Sequence, residues 1–228
     1  MDDGSAKLLC GTPAIPSHCV SLTFDDGPGP KSAELSRMLR DEGAPATFFV
    51  LGESVRRHGH VLDTHRDCGH VIALHGERHR PFVSARVAAN LLGRCRERVS
   101  DYLEDTVWFR PPYGYGDQPV PGYAGPVGWH AHGRDWEITY RAGQTVACCV
   151  DEIVTALVRS DGGIVLLHDF APPTEFTVRG LTEDDLDLRI LEIMPPLIER
   201  LRREGFSFVK LPEPAQSPQD ETADRALA

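Results

Sequence analysis

Short apolar blocks with a period of two alternate along this chain with longer blocks at helical spacing. Cys19, Val20, Leu22 and Phe24, with Ser21 and Thr23 between them, predict a strand that ends in Asp25-Asp26 and breaks at Gly27-Pro28. Pro30 suits a first helical turn, Leu35, Met38 and Leu39 recur at helical spacing, and Gly43 supplies a stop. Residues 46–51 predict a buried strand, 54–58 a short helix, and 71–74 a strand that runs into His75-Gly76-Glu77-Arg78-His79. An amphipathic helix over 87–103 shows Val87, Leu91, Leu92, Cys95, Val99 and Leu103 on one face. Trp108-Phe109 is a brief strand before Arg110-Pro111-Pro112-Tyr113-Gly114, and the Gly- and Pro-rich residues 116–126 form a loop. A strand at 127–130, a helix at 146–157 and a strand at 164–167 ending at His168-Asp169 follow. A polar loop at 170–185, a helix at 186–201 kinked by Pro195-Pro196, and a strand at 206–209 complete the pattern.

Strand and helix alternate six or seven times, which predicts an α/β fold with a parallel sheet, open or closed as a barrel. Residues 1–17 read as a loose lead-in, 18–211 as one catalytic-sized domain, and 212–228 as a polar, disordered tail. A formal net charge of −10 over 228 residues argues against nucleic acid or an anionic membrane as partner. No apolar run is long enough to span a bilayer. Residues 1–7 lack a basic stretch followed by an apolar one, so a cytoplasmic location is expected unless the native start lies upstream. The six cysteines show no Cys-x-x-Cys spacing and are expected to be reduced and mostly buried.

The ionisable residues of interest, Asp25-Asp26, His75, Arg110, Asp135 and His168, fall just after strands. In a (β/α) barrel those strand ends share one face. Two adjacent carboxylates ask for a cation or a basic partner. His75 and His79 are four apart, so on a helical turn both imidazoles reach one ion, and Asp26 makes a set of two histidines and a carboxylate. Three ligands leave a position for water, an arrangement that suits catalytic zinc and also non-haem iron. Asp25 would then be the general base, and His168 the general acid for a departing amine. Arg110 would hold Asp25 as the anion, Asp135 would orient His168, and Trp136 would wall the pocket. Asp169 reads as a loop anchor. Plainer readings exist for each: a solvated Asp-Asp-Gly-Pro turn, a carbonyl-bound buried histidine at 168, a surface ion pair at Arg110, a cap at Asp135, core packing at Trp136. A metallopeptidase is disfavoured because Gly76 stands where that signature needs Glu.

In order along the chain, these residues resemble the polysaccharide deacetylases, carbohydrate esterase family four, also called the NodB-homology domain. Thr23-Phe24-Asp25-Asp26-Gly27-Pro28 matches the first of five motifs, His75 to His79 the second, Arg110-Pro111-Pro112-Tyr113 the third, and Leu166-Leu167-His168 the fifth. The second motif departs from the family at Gly76, where Ser or Thr is usual. The fourth departs at His132, where an Asp is usual, and keeps Asp135-Trp136. The resemblance implies a distorted (β/α) barrel of about seven parallel strands and one divalent metal ion, Zn2+, on Asp26, His75 and His79. It also implies Asp25 as base, His168 as acid, Arg110 steadying the base and the Tyr113 N–H as oxyanion donor. The implied reaction is N-deacetylation of an N-acetylated sugar, with Trp136 and His132 beside the substrate. O-deacetylation of a carbohydrate and a catalytically silent sugar-binding protein of the same fold are the alternatives. His130 reads as pocket lining or surface, or as a contact to substrate or a second ion. The oligomeric state is not readable.

Overall fold

The computed structural model describes residues 6–171 and 189–213. Its strands are β1 (Cys19–Asp25), β2 (Ala46–Leu51), β3 (Val71–Gly76), β4 (Ala131–His132), β5 (Gly162–His168) and β6 (Ser207–Phe208). The α-helices are α1 (Ser32–Asp41), α2 (Gly52–His58), α3 (Val61–Asp67), α4 (Ala85–Val99), α5 (Val146–Ser160) and α6 (Ile190–Arg203). All strand pairs are parallel, in the order β3-β2-β1-β5-β4. β5 occupies one whole edge of β1, so β6 and β2 share the other edge end to end, β6 at Cys19 and Val20 and β2 from Leu22 onward.

Backbone pairing continues beyond β3. Leu74 N donates to Trp108 O at 2.9 Å, Arg110 N to Leu74 O at 3.0 Å, and Phe109 N to Ala124 O at 2.8 Å. Residues 124–130 lead into β4, which pairs with β5, so the ring closes into a distorted (β/α) barrel. Residues 107–110 stand in for a seventh strand. The distortion has a local cause: prolines at 111, 112, 119, 121 and 126 cannot donate to a ladder. For the same reason the strand expected at 127–130 gains regular pairing only at Ala131–His132. Trp129 pairs instead with the lead-in, exchanging backbone hydrogen bonds with Lys7 at 2.9 Å each way.

Alternation along the strands builds two cores. Val20, Leu22 and Phe24 of β1, with Phe48 and Val50 of β2, pack outward against the helices. Phe49, Ala73, Trp108, Trp129, Ile164 and Leu166 form a smaller inner cluster. α3 carries little apolar period, its buried face being Val61, Leu62 and His65, so the sequence pattern does not announce it. Pro195 and Pro196 lie inside α6. Most cysteines are not buried as expected: all six are free, but only Cys95 and Cys149 are buried. Of the remaining four, Cys10 is exposed, and Cys19 at the start of β1, Cys68 after α3 and Cys148 in α5 are half-buried. The expected loop beyond Ala171, the first residues of the 186–201 helix and the polar tail beyond residue 213 lie outside the described residues. No helix among the described residues is long and apolar enough to cross a membrane.

Candidate active site

The parity that turns Phe49, Ala73 and Leu166 inward also turns Asp25, His75, Arg110 and His168 inward, at the carboxyl ends of their strands. Parallel register aligns them: Asp25 pairs with His168 across β1 and β5, and with Phe49 across β1 and β2. Asp26 has the wrong parity for this mouth. Its backbone turns left-handed, with φ of 75°, and its carbonyl accepts the Ser54 hydroxyl at 2.7 Å. That turn brings its carboxylate round to the same side as its neighbour's.

Asp26 Oδ1 lies 3.4 Å from His75 Nε2 and 3.5 Å from His79 Nε2. All three side chains are buried or nearly so, and their ligand atoms lie within 4.8 Å of one another. The His75 ring has a fixed tautomer: its Nδ1 meets the Arg110 carbonyl at 2.8 Å, so Nδ1 carries the hydrogen and Nε2 presents a lone pair. Burial pushes His75 down to about 3, keeping the ring neutral. Lone pairs from an imidazole and a carboxylate that face each other call for a cation. Ligand atoms about 2.1 Å from a tetrahedral ion stand about 3.4 Å apart, and the observed spacing agrees. The donor set therefore fits a divalent metal. Among the described residues this is the one such group.

Asp25 is buried beside it. Its Oδ1 accepts Arg110 Nη1 at 2.8 Å, and its Oδ2 lies 3.8 Å from His75 Nε2, toward the triad. Arg110 is fully buried and uses its whole fork: Nη1 also donates to Thr23 Oγ1 at 2.8 Å, Nε to Val127 O at 3.1 Å, and Nη2 to Gly128 O at 3.0 Å. Its guanidinium lies 4.4 Å from the Phe49 ring centre. It is no surface ion pair. Thr23, on the same face of β1, passes the contact on to Val165 O at 2.5 Å.

His168 faces the pair from β5. Asp135, fully buried, accepts its backbone N–H at 2.7 Å and lies 3.2 Å from its Nδ1. Burial alone would depress this histidine, but Asp135 foremost, with Asp26 and Asp25, outweighs it and raises the group to about 10. With Nδ1 on Asp135, Nε2 is left as the donor. Trp136 is half-buried and meets His168 edge-on at 5.2 Å. His132 is buried at 1% exposure, pairs in register with inward-facing Leu166 and is stacked on Trp136 at 5.2 Å. His130 accepts the Ile164 N–H at 3.1 Å and belongs to the β5 backbone contacts.

Tyr113 sits in a one-turn 3-10 segment with φ of 59°, its ring 4.2 Å from His79 and more than half exposed. Gly76 has φ of +98°, a conformation that glycine adopts freely and that would be strained for a Ser or Thr. Asp169 receives the Ser32 hydroxyl, tying the end of β5 to α1, and burial raises its carboxyl to about 7. Sequence spacing singled out neither Thr23, which lies inside the first motif, nor Glu77. Glu77, in sequence between the two histidines, is buried, and an acid flanked by Gly and Arg gives no sign of burial.

Comparison with known proteins identifies the family. The Polysaccharide deacetylase family model matches residues 13–131. A chitooligosaccharide deacetylase of Rhizobium leguminosarum bv. trifolii is 34% identical over 209 residues, covering 85% of this chain and 90% of the relative. A peptidoglycan-N-acetylglucosamine deacetylase of Bacillus cereus is 28% identical over 204 residues, covering 85% of this chain and 86% of the relative. Among solved structures, a peptidoglycan deacetylase of Bdellovibrio bacteriovorus superposes with a TM-score of 0.65 at 26% identity, covering 90% of this chain and 54% of that one. The chain belongs to the polysaccharide deacetylase family, carbohydrate esterase family four.

Proposed function

We propose that this protein is a metal-dependent N-deacetylase acting on an N-acetylated amino sugar, an oligosaccharide or small glycoside. The observation that carries the reading is a buried donor triad with a carboxylate fixed by an arginine and an imidazole fixed by a carboxylate at the adjoining strand ends. On one side stands Asp25, with one oxygen held by Arg110 and the other turned to the triad. Next to it on β5 is His168, held protonated at neutral pH by Asp135. The chitooligosaccharide and peptidoglycan deacetylases among the relatives support the sugar and the acetyl group.

Asp26, His75 and His79 would hold the ion, and two imidazoles with a carboxylate suit zinc. Bound there, a divalent ion supplies Lewis acidity toward water and toward the acetyl oxygen. Asp25 Oδ2 takes the proton from the attacking water, while Arg110 keeps its partner oxygen from turning away. The Tyr113 N–H, beside His79 in the left-handed turn, serves as the oxyanion donor. His168 Nε2 hands its proton to the departing sugar nitrogen, and Asp135 stabilises the imidazolium beforehand. Trp136 closes the wall behind the acetyl group and keeps His168 from rotating.

Acetate release tests this, on chitooligosaccharides, a small N-acetylglucosaminyl glycoside and acetylated xylan. Each is offered to chelated protein, zinc-reloaded protein and Asp25→Asn. The expected result is zinc-restored release from an N-acetyl sugar that Asp25→Asn abolishes. Release confined to acetylated xylan would transfer the reading to O-deacetylation. No release from any substrate with zinc bound would leave a sugar-binding protein and overturn it.

A further inference from the structure

Glu77 lies between the two histidines of the triad, yet its side chain points away from the mouth. Only 1% of it is exposed. Both oxygens are taken by one guanidinium: Arg98 Nε donates to Oε2 and Nη2 to Oε1, each at 2.9 Å. Arg56 Nη1 stands 3.5 Å from Oε1. The backbone is fixed as well, since Glu77 O accepts Glu53 N at 3.0 Å and His79 N donates to Glu53 Oε1 at 3.4 Å. Gly52 makes room for this: a Cβ there would lie 2.0 Å from Glu77 Oε2. The segment from Gly76 to His79 is thus clamped between the first turn of α2 and the last turn of α4. β3 and the Arg110 carbonyl hold His75 independently.

We infer that Glu77, through its buried bidentate pair with Arg98, is a positioning residue that presents His79 to the metal. The inference rests on the metal reading proposed above. A bidentate pair fixes direction as well as distance, which a single point charge does not. Groups that orient ligands from behind change metal affinity by about 10–100-fold when lost. Glu77→Gln keeps the shape and removes the charge. Arg98→Lys keeps the charge and removes the fork. Gly52→Ala leaves both charges and displaces the carboxylate.

The test is metal affinity by chelator competition, read beside the visible absorption of the cobalt-substituted protein, with near-ultraviolet circular dichroism confirming the metal-free fold at low temperature. Glu77→Gln is expected to weaken zinc about 10–100-fold and to alter the cobalt spectrum. Arg98→Lys and Gly52→Ala should fall between it and the parent. A purely structural clamp would lower the melting point but leave affinity and spectrum unchanged in folded variants, and affinities within twofold of the parent would overturn the inference. If Glu77→Gln does not fold, the two milder variants decide by the same criterion. His79→Ala serves as control: if parent and control bind zinc alike, the metal reading itself fails, whereas parental binding with an unaffected Glu77→Gln defeats only this inference.

Discussion

Replacing Arg110 by Met tests the electrostatic frame of the mouth most directly. The wild-type guanidinium is fully buried and meets four acceptors: Asp25 Oδ1, Thr23 Oγ1, Val127 O and Gly128 O. Met fills much of the volume but leaves the Asp25 carboxylate, 3% exposed, without its counter-charge. Removing one partner of a buried pair costs about 3–5 kcal/mol. For a chain of this size each kcal/mol moves the midpoint by about 2–4 °C, so the metal-free variant should melt about 10 °C lower. Arg110→Lys keeps the charge, but one ammonium cannot span four acceptors, and about half the loss is expected. The decisive comparison is Arg110→Met with Asp25→Asn. Removing the stranded charge should recover about 2 kcal/mol over Arg110→Met alone. Thermal and urea unfolding of the chelated proteins measure all three. A loss below about 1 kcal/mol in Arg110→Met, or a double variant no more stable than it, would refute the argument that Arg110 neutralises Asp25.

Asp135→Asn removes the strongest upward influence on His168. The alkaline limb of the kcat profile should move down, and an unmoved limb would exclude His168 as the acid. The sign for stability follows the same way: a histidine raised to about 10 contributes fully below its ordinary 6.5, and that contribution is lost as pH rises toward 10. Metal-free wild type should therefore lose stability across that window, and Asp135→Asn should flatten the loss. His65, fully buried with Nδ1 on Ser36 Oγ at 2.6 Å and stacked 4.0 Å from Phe48, is pushed down to about 3 by burial. Its folded pKa lies below its unfolded one, so stability falls as pH drops from 6.5 toward 3, by up to about 4 kcal/mol, and Ser36→Ala with His65→Leu should shallow that slope in acid titration. Trp136→Ala uncovers His168 and His132 and should raise KM about tenfold with a smaller loss in kcat, as steady-state acetate release would show.

Much of this was legible in the chain because strand ends are legible. Period two in Cys19 to Phe24 gives both the strand and the inward parity of Asp25, and the same count along β3 and β5 assigns His75 and His168. What the sequence could not show lies where a tertiary partner, not a period, decides the outcome. The lead-in around Lys7 pairs with Trp129 because the proline-rich stretch leaves that backbone without a ladder. Arg110 reads equally well as a surface residue, and only closure of the barrel over Val127 and Gly128 buries it. Glu77 looks solvent-facing, since its burial depends on Arg98, more than twenty residues away, and on a glycine in another helix. His132 is the reverse case. Its departure from the family pattern suggested a changed pocket, and its stacking on Trp136 is set by the barrel and not by a sequence period.

Strand parity alone cannot build the mouth. It delivers Asp25, His75, Arg110 and His168, one side chain per strand end, all pointing inward. Each remaining participant needs a break in that parity, and at several of them the backbone turns left-handed: Asp26 at φ 75°, Tyr113 at 59°, Gly76 at +98° just after His75, and Arg134 at 50° just before Asp135. Such conformations cost about 1–3 kcal/mol each for residues other than glycine. Three of the six positive-φ residues other than glycine among those described lie at this one site. Their cost is carried by contacts already named: the Ser54 hydroxyl on Asp26 O, Lys7 Nζ on Tyr113 O at 3.2 Å, and the Arg134 pair with Glu152. The barrel thus supplies a rigid set of inward groups, and locally strained turns add a second set between them. The two sets together place two carboxylates, Asp25 and Asp26, and three imidazoles, His75, His79 and His168, at one mouth, which neither set supplies alone.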